Sequence, residues 1–327
     1  MSARTLTRRT RRATAAPAID GADAAVIAAL GYEREVGLLR EAVLTWIHGA
    51  SEEMQPQLRW QFLGRSKYFR PLTVFACHRA TQPDEVTPAV VRGAVAVELF
   101  HNVSLIVDDI LDGSTHRRGV PTLHRRFGSL PALMASGYIV ASGFRVLSDD
   151  PLGVRLLSEL LSRLGVAECL QWRLRRQPLG VEDWRLIAGE DTGTMFEVAA
   201  CIGTRDEQLR KFGRLLGMLY HGCDDVGDAR GLAALGGGGA EDVRDGILTL
   251  PAAFAIRNAR IQTLFCKETP AAAELDETAL AIRNRVPDAE AYLDEIAHEA
   301  REEAVLRASN PEPLLALVEH TRQLSRR

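Results

Sequence analysis

The residues best suited to chemistry are two short aspartate runs, VDDILD with Asp108, Asp109 and Asp112, and CDDVGD with Asp224, Asp225 and Asp228. On a helix, the first and third carboxylates of each run stand one turn apart on one face, and the middle one is rotated by about 100°. Each run follows a largely apolar stretch, AVAVELFHNVSLIV before the first and LRKFGRLLGMLYHGC before the second. Three carboxylates at the mouth of an apolar helix repel one another and are costly to bury unpaired. A divalent cation relieves that cost. Oxygen ligands without cysteine or histidine favour Mg2+, which keeps several waters and shares its shell with substrate phosphates. One such run reads equally well as a solvated helix end. Two runs, the first followed by Arg117-Arg118-Gly119, point to opposed metal-binding walls over an apolar cavity.

The elements that must hold these walls are helical. Val26, Leu30, Val36, Leu39, Val43 and Ile47 recur at threes and fours, with Gly31 as an interruption. Similar spacing predicts helices near 88–112, 131–148, 151–177, 181–203, 205–229, 249–264, 272–285 and 288–307. Breakers fall at Pro83, Gly113 to Pro121, Asp149-Asp150-Pro151, Pro178-Leu-Gly, Gly203 and the run Gly236 to Gly239. That glycine run lacks the pattern of a phosphate-binding loop and reads as a connection between helices. No sustained two-residue alternation occurs, so no sheet is expected. Eight to twelve helices in a single all-α domain over residues 21–327 is the expectation, with no repeat of fixed period.

A chain of 327 residues with 46% hydrophobic and 25% charged content has enough apolar material for one large core. It has no run of 18 uncharged apolar residues, so no transmembrane segment is expected. A net charge of −3 gives no basic field, which argues against nucleic acid as a partner. Only Lys67, Lys211 and Lys267 are lysine; the other basic residues are arginine. The five cysteines (Cys77, Cys169, Cys201, Cys223, Cys266) have no paired spacing and sit among apolar residues. They read as reduced core thiols of a cytoplasmic protein. Residues 1–20, opening MSARTLTRRTRRATAA, lack the apolar core of a secretory signal and are expected to form a disordered basic arm.

Several motifs together resemble the trans-isoprenyl diphosphate synthases, the polyprenyl synthetase family, with recognisable spacing from about Gly64 to Pro251. The block ELFHNVSLIVDDILDGSTHRRGVPTLHRRFG resembles the first aspartate-rich motif of that family with its Arg-Arg-Gly sequel, and DDVGD resembles the second. GRSKYFRP is similar to the Gly-Lys-x-x-Arg-Pro signature, which aligns Lys67 and Arg70 with its basic pair. His101, seven residues before Asp108, occupies the family's homoallylic His or Gln position. DVRDGILTLP is similar to the Asp-Leu-x-x-Gly-Lys-x-Thr-Leu-Pro segment, and Gln171 to a Gly-Gln position.

The resemblance implies an isoprenoid-synthase helical bundle around a central apolar cavity. It implies ionisation of an allylic diphosphate and alkylation of isopentenyl diphosphate, with three Mg2+ ions. Asp108 and Asp112 would hold two of them and Asp224, with Asp228, the third; Asp109 and Asp225 would support from behind. Arg117 would face the leaving diphosphate, and Lys67, Arg70, Arg118 and His101 would hold the second one. Gln171 and Thr192 would join the substrate-binding set. A homodimer is also implied, with HNVSLIVDD near the two-fold axis. Small residues at Val103 and Ser104, one turn below Asp108, leave room for a tail of C20 or longer, unless Phe100 or Tyr138 closes the groove lower down.

Three lysines of the family pattern are missing. Asp191-Thr192-Gly193 stands where Lys-Thr-Gly is usual, Gly246-Ile247 where Gly-Lys is usual, and the third falls in the glycine run. Tyr220-His221 replaces Phe-Gln, and Arg230 and Arg244 are the nearest substitute cations in the sequence. Three readings therefore stay open: a chain-elongating prenyltransferase, a class I terpene cyclase acting on one long diphosphate, and a non-catalytic partner subunit of another synthase.

Overall fold

The structure, a computed structural model, describes residues 21–64, 66–82, 84–231 and 239–326. The chain begins with α1 (Gly21–Ala29) and α2 (Glu33–Gly49), separated at Gly31, whose φ of +69° suits only glycine without strain. Then come α3 (Gln55–Phe62), α4 (Phe69–Thr81) and the long α5 (Pro88–Leu111). A short hairpin, β1 (His116–Arg117) with β2 (Val120–Pro121), leads to α6 (Leu123–Phe127) and α7 (Ser129–Val146). The remaining large helices are α8 (Pro151–Arg173), α9 (Val181–Glu190), α10 (Thr192–Thr204) and α11 (Arg210–Ala229). Shorter ones follow as α12 (Gly239–Asp245), α13 (Leu250–Ala255), α14 (Ala259–Phe265) and α15 (Ala272–Arg283). The chain closes with α16 (Val286–Arg307), α17 (Glu312–Arg322) and a 3-10 turn, Gln323–Arg326.

The all-α expectation holds, but the helices number seventeen among the described residues rather than eight to twelve. The segment expected at 181–203 breaks at Asp191, and that at 249–264 breaks at 256–258. Helix α4 carried no amphipathic signal because Phe69 and the run from Pro71 to His78 are all buried, which erases the 3.6-residue period. Gly203 is not a breaker but lies inside α10, where a Cβ would come 2.3 Å from the Val74 carbonyl oxygen of α4. The hairpin is a small exception to the absence of strands. Residues 1–20 and 236–238, assigned to the basic arm and the glycine connection, lie outside the described residues.

Helix α5 starts cleanly, with Pro88 in its first turn and the Thr87 hydroxyl accepting from the Val90 N–H. By length and composition it would cross a membrane, yet 67% of its apolar stretch is buried inside the fold. It is a core helix, packed on α2, α4, α7 and α10. Within HNVSLIVDD, which the resemblance puts near a two-fold axis, no residue is fully exposed, and His101, Ser104, Leu105 and Val107 are half-buried. Helix α10, buried from Gly193 to Thr204, lies between α4, α5 and α11. It approaches α11 so closely that a Cβ on Gly217 would stand 2.7 Å from the Gly193 Cα. Three cysteines are core thiols as expected; Cys169, on the outer side of α8, is exposed, and Cys266 is half-buried.

Candidate active site

The C-terminal ends of α5 and α11 carry the acids. Asp108 and Asp109 lie in the last turn of α5, Asp112 is its C-cap, and Asp224, Asp225 and Asp228 close α11. Neither helix has a basic residue in its last turn. A helix C-terminus carries partial negative charge and ordinarily attracts Lys or Arg, so these carboxylates oppose both one another and the helix dipole.

The two ends open on one acidic site. Asp191, at the α9–α10 junction, raises the pKa of Asp108 on one side and on the other lies 3.5 Å from His221 Nδ1 of α11. Burial, then Glu168 and Asp191, hold the Asp108 carboxyl well above the ordinary range. Burial raises Asp112 and Asp224 as well. Two acids not assigned from the sequence complete the wall. Glu168 of α8 is raised to about 7, by burial and by Asp191 and Asp112. Asp242 of α12 is raised to about 8, by burial and by Asp225, Asp228 and Asp224. Glu168 lies three residues before Gln171 on α8, a same-face spacing that was the available signal. Asp224 Oδ1 is buried with no hydrogen-bond partner. Among the described residues no three acid, histidine or cysteine side chains close into a complete metal cluster. The donors stand on separate walls.

The middle aspartates turn away, as their rotation predicts. Asp109, 3% exposed, accepts from Arg117 Nε at 2.8 Å. Asp225 accepts from Trp184 Nε1 and the Leu250 N–H, both at 2.8 Å. Arg117 therefore braces the end of α5, where the sequence placed it against a leaving diphosphate. The tight turn at Arg118 and Gly119, with φ of 51° and 80°, sends the two arginines toward α5.

Within electrostatic reach of these acids lies a cationic pocket. Lys67, Arg70, His101 and Arg118 come together around it, as the sequence implied. Arg70 Nη1 is 3.3 Å from His101 Nε2. A guanidinium only donates, so Nε2 accepts and the proton sits on Nδ1, which is buried without a partner. Arg70 Nε is likewise an unpartnered buried donor. Burial, Arg70, Arg118 and Arg117 push the His101 pKa well below its usual value, so the ring is neutral near pH 7. Burial and Arg118 also lower Lys67, against the pull of Asp224. Glu98, missed in the sequence, anchors the floor. It accepts from Ser66 Oγ at 3.0 Å and Asn102 Nδ2 at 3.1 Å, and burial raises its pKa.

Thr192 Oγ1 is 2.9 Å from His221 Nδ1 and 3.2 Å from Asp191 Oδ2. Burial lowers the His221 pKa, but Asp225, Asp191, Asp224 and Asp242 outweigh it and raise the net value. Gln171 is half-buried near the end of α8. Both arginines nearest the missing lysines in the sequence already have ion-pair partners. Arg230 pairs with Glu290 at 2.9 Å and with the Ser325 carbonyl, and Arg244 pairs with Asp245 at 2.8 Å.

The profile described as polyprenyl synthetase matches residues 53–282. The chain belongs to the polyprenyl synthetase family. Its similarity to a nonaprenyl diphosphate synthase of Mycobacterium tuberculosis, at 29% identity, covers 94% of this chain and 97% of that one. The fold matches a heptaprenyl diphosphate synthase of Staphylococcus aureus at TM-score 0.81 and 20% identity, covering 90% of this chain and 97% of that one. A polyprenyl synthase of Caulobacter crescentus, solved with calcium and isoprenyl diphosphate, matches at 0.80 and 21% identity, over 94% and 99% of the two chains. Within the polyprenyl synthetase family, the isoprenoid-synthase bundle expected from the motifs is thus the observed fold.

Glu168 and Asp242 sit far above their unfolded values, so between about pH 5 and 8 these two carboxyls hold more protons in the folded protein than in the unfolded chain, and their contribution to stability falls as pH rises. The raised His221 acts in the same direction. Below about pH 7 the lowered His101 opposes them in part. Metal-free protein should melt several degrees lower at pH 8 than at pH 6, and saturating Mg2+ should flatten the slope. A metal-free melting temperature that is level or rises from pH 6 to 8 would contradict this account of the acidic site.

Proposed function

We propose that the chain is a trans-prenyltransferase that joins an allylic prenyl diphosphate to isopentenyl diphosphate and releases products of C20 or longer. The carrying observation is the pair of charged subsites on α5, an acid-lined mouth at Asp108 and a cationic pocket around Arg70 and His101. A cyclase acting on a single diphosphate needs only the first. The buried unpartnered donors, Arg70 Nε and His101 Nδ1, favour a site made for a second diphosphate. A non-catalytic subunit has no use for carboxylates held at such electrostatic cost.

The acids fit Mg2+, since they are hard oxygen donors raised by burial and mutual repulsion, with Asp224 Oδ1 lacking a partner. Asp108 and Asp112 on one wall, and Asp224 and Asp228 on the other, would hold it, with three ions as the expected number. Bound there, the ions neutralise charge that develops on the departing pyrophosphate. Asp109 and Asp225, bonded to Arg117 and to Trp184, keep the helix ends aimed. Lys67, Arg70, Arg118 and the neutral His101 grip the isopentenyl diphosphate so that its double bond lies against the allylic carbon. The allylic C–O bond breaks, and the isopentenyl double bond supplies the electron pair for a C–C bond at its terminal carbon. The tertiary cation so formed loses a proton from its neighbouring CH2 to the released pyrophosphate, leaving a new double bond. Burial of the pocket keeps water from the cation.

Tail length follows from the lower turns of α5. Val103 is 9% exposed, and Ser104 Oγ turns back to the His101 carbonyl at 2.9 Å. Phe100 is lodged against Gly143, where a Cβ would meet its ring at 2.4 Å, and packs edge-on to Phe144. Tyr138 lies beside Trp46 of α2, 6.5 Å between ring centres.

The two-fold partner face falls on α7. Leu130, Leu133, Met134, Gly137 and Ala141 are exposed at helical spacing, and Leu130 is 68% exposed. An apolar stripe of this kind suits a second copy in a cyclic dimer.

With Mg2+ and farnesyl diphosphate, the protein should incorporate labelled isopentenyl diphosphate, and Asp108→Ala or Asp224→Ala should cut turnover by at least about 100-fold. Lys67→Ala and Arg70→Ala should raise the apparent KM for isopentenyl diphosphate several-fold. Hydrocarbon formed without isopentenyl diphosphate would instead identify a cyclase. The double variant Val103→Phe, Ser104→Phe should shift products to shorter chains, and an unchanged profile from an active double variant would reject the assignment of tail length to this level. Light scattering at micromolar concentration should give twice the chain mass, and Met134→Asp should give monomer.

A further inference from the structure

Among the described residues, three arginines that could serve a diphosphate in the acidic mouth already have partners, and a diphosphate among so many carboxylates needs a cation. Arg117 is bonded to Asp109, Arg230 to Glu290 and Ser325, and Arg244 to Asp245. We propose that Arg175, in the turn between α8 and α9, is a substrate-binding residue that donates to the diphosphate leaving the allylic substrate. The inference rests on the prenyltransferase reading and adds to it a residue outside the quoted motifs.

Four observations carry it. Arg175 Nη2 stands 3.8 Å from Asp112 Oδ1, at the half-exposed end of α5, which is beyond a hydrogen bond. Its Nε is buried and without a hydrogen-bond partner. Its guanidinium lies over the Trp172 indole, 4.3 Å from the ring centroid, a contact that uses the flat face and leaves the N–H edges for an anion. Its charge also acts on Glu168 and Asp245, which places it over the acidic wall.

The backbone fixes this position. Arg176 has a left-handed φ of 57°, and its N–H donates to the Gly246 carbonyl at 2.8 Å. The Arg176 side chain donates to the Lys267 carbonyl at 2.7 Å and to that of Arg244. A Cβ on Gly246 would come 2.3 Å from Arg176 Cγ, so this glycine admits the turn. The segment that ends in Gly246-Ile247 thus has no lysine of its own at this point but clamps the neighbour of Arg175.

The test is calorimetric titration of inorganic pyrophosphate into the Mg2+-loaded protein, with steady-state kinetics alongside. Arg175→Ala and Arg175→Gln should weaken pyrophosphate binding by about tenfold or more, as expected for a lost charge-assisted contact. They should raise the KM for farnesyl diphosphate while leaving that for isopentenyl diphosphate within about twofold. Arg175→Lys should recover much of the affinity, and Arg244→Ala should match wild type. Wild-type pyrophosphate affinity in Arg175→Gln, or equal changes in both KM values, would overturn the proposal. Failure of all three Arg175 variants to fold would assign the residue to stability and overturn it too. If wild type does not incorporate isopentenyl diphosphate, the prenyltransferase reading falls, while the pyrophosphate affinities still decide whether Arg175 binds a diphosphate.

Discussion

Two helices in this protein end in carboxylates where the backbone is already negative, and the rest of the site is arranged around that conflict. Asp108 and Asp112 at the end of α5, and Asp224 and Asp228 at the end of α11, stand against the helix dipoles, with Glu168, Asp191 and Asp242 close by. Such an arrangement costs stability in the metal-free protein. Bound cations would offset that cost, and burial with mutual repulsion raises Asp108, Glu168 and Asp242 in their absence.

The core serves to hold those two ends in place. Helix α10 is buried along nearly its whole length, and α11 packs on it through Gly193 and Gly217 at backbone contact. Side chains of ordinary size at that crossing would push α11 away and with it the second acidic wall. The end of α11 is fixed again by Arg230, which reaches Glu290 of α16, while the fully buried Arg322 of α17 binds Glu290 and Asp294. The C-terminal helices thereby tie the second aspartate cluster to the body of the fold.

Acids and cations meet around the end of α5. Lys67 and Arg70 act on Asp224 of the second acidic cluster, Arg117 is bonded to Asp109, and His101 is kept neutral among the cations. Glu98 is a buried carboxylate in this group that Ser66 and Asn102 satisfy in part.

Sequence by itself determined the helical class, the two aspartate clusters, the pairing of Lys67 and Arg70 with His101, and the family, because these depend on spacing within single helices or short motifs. It did not reveal α4, whose all-round burial removes any period, or the break at Asp191 that separates α9 from α10. It also could not assign the arginines. Arg117, Arg175, Arg230 and Arg244 look alike in a chain where nearly all basic residues are arginine. Only the packing shows that Arg117 braces Asp109, that Arg230 and Arg244 are bound elsewhere, and that Arg175 stands over the mouth. Long flexible side chains are placed by whichever partner the fold brings within reach, one near in the chain, as Asp109 is to Arg117, or one far along it, as Glu290 is from Arg230.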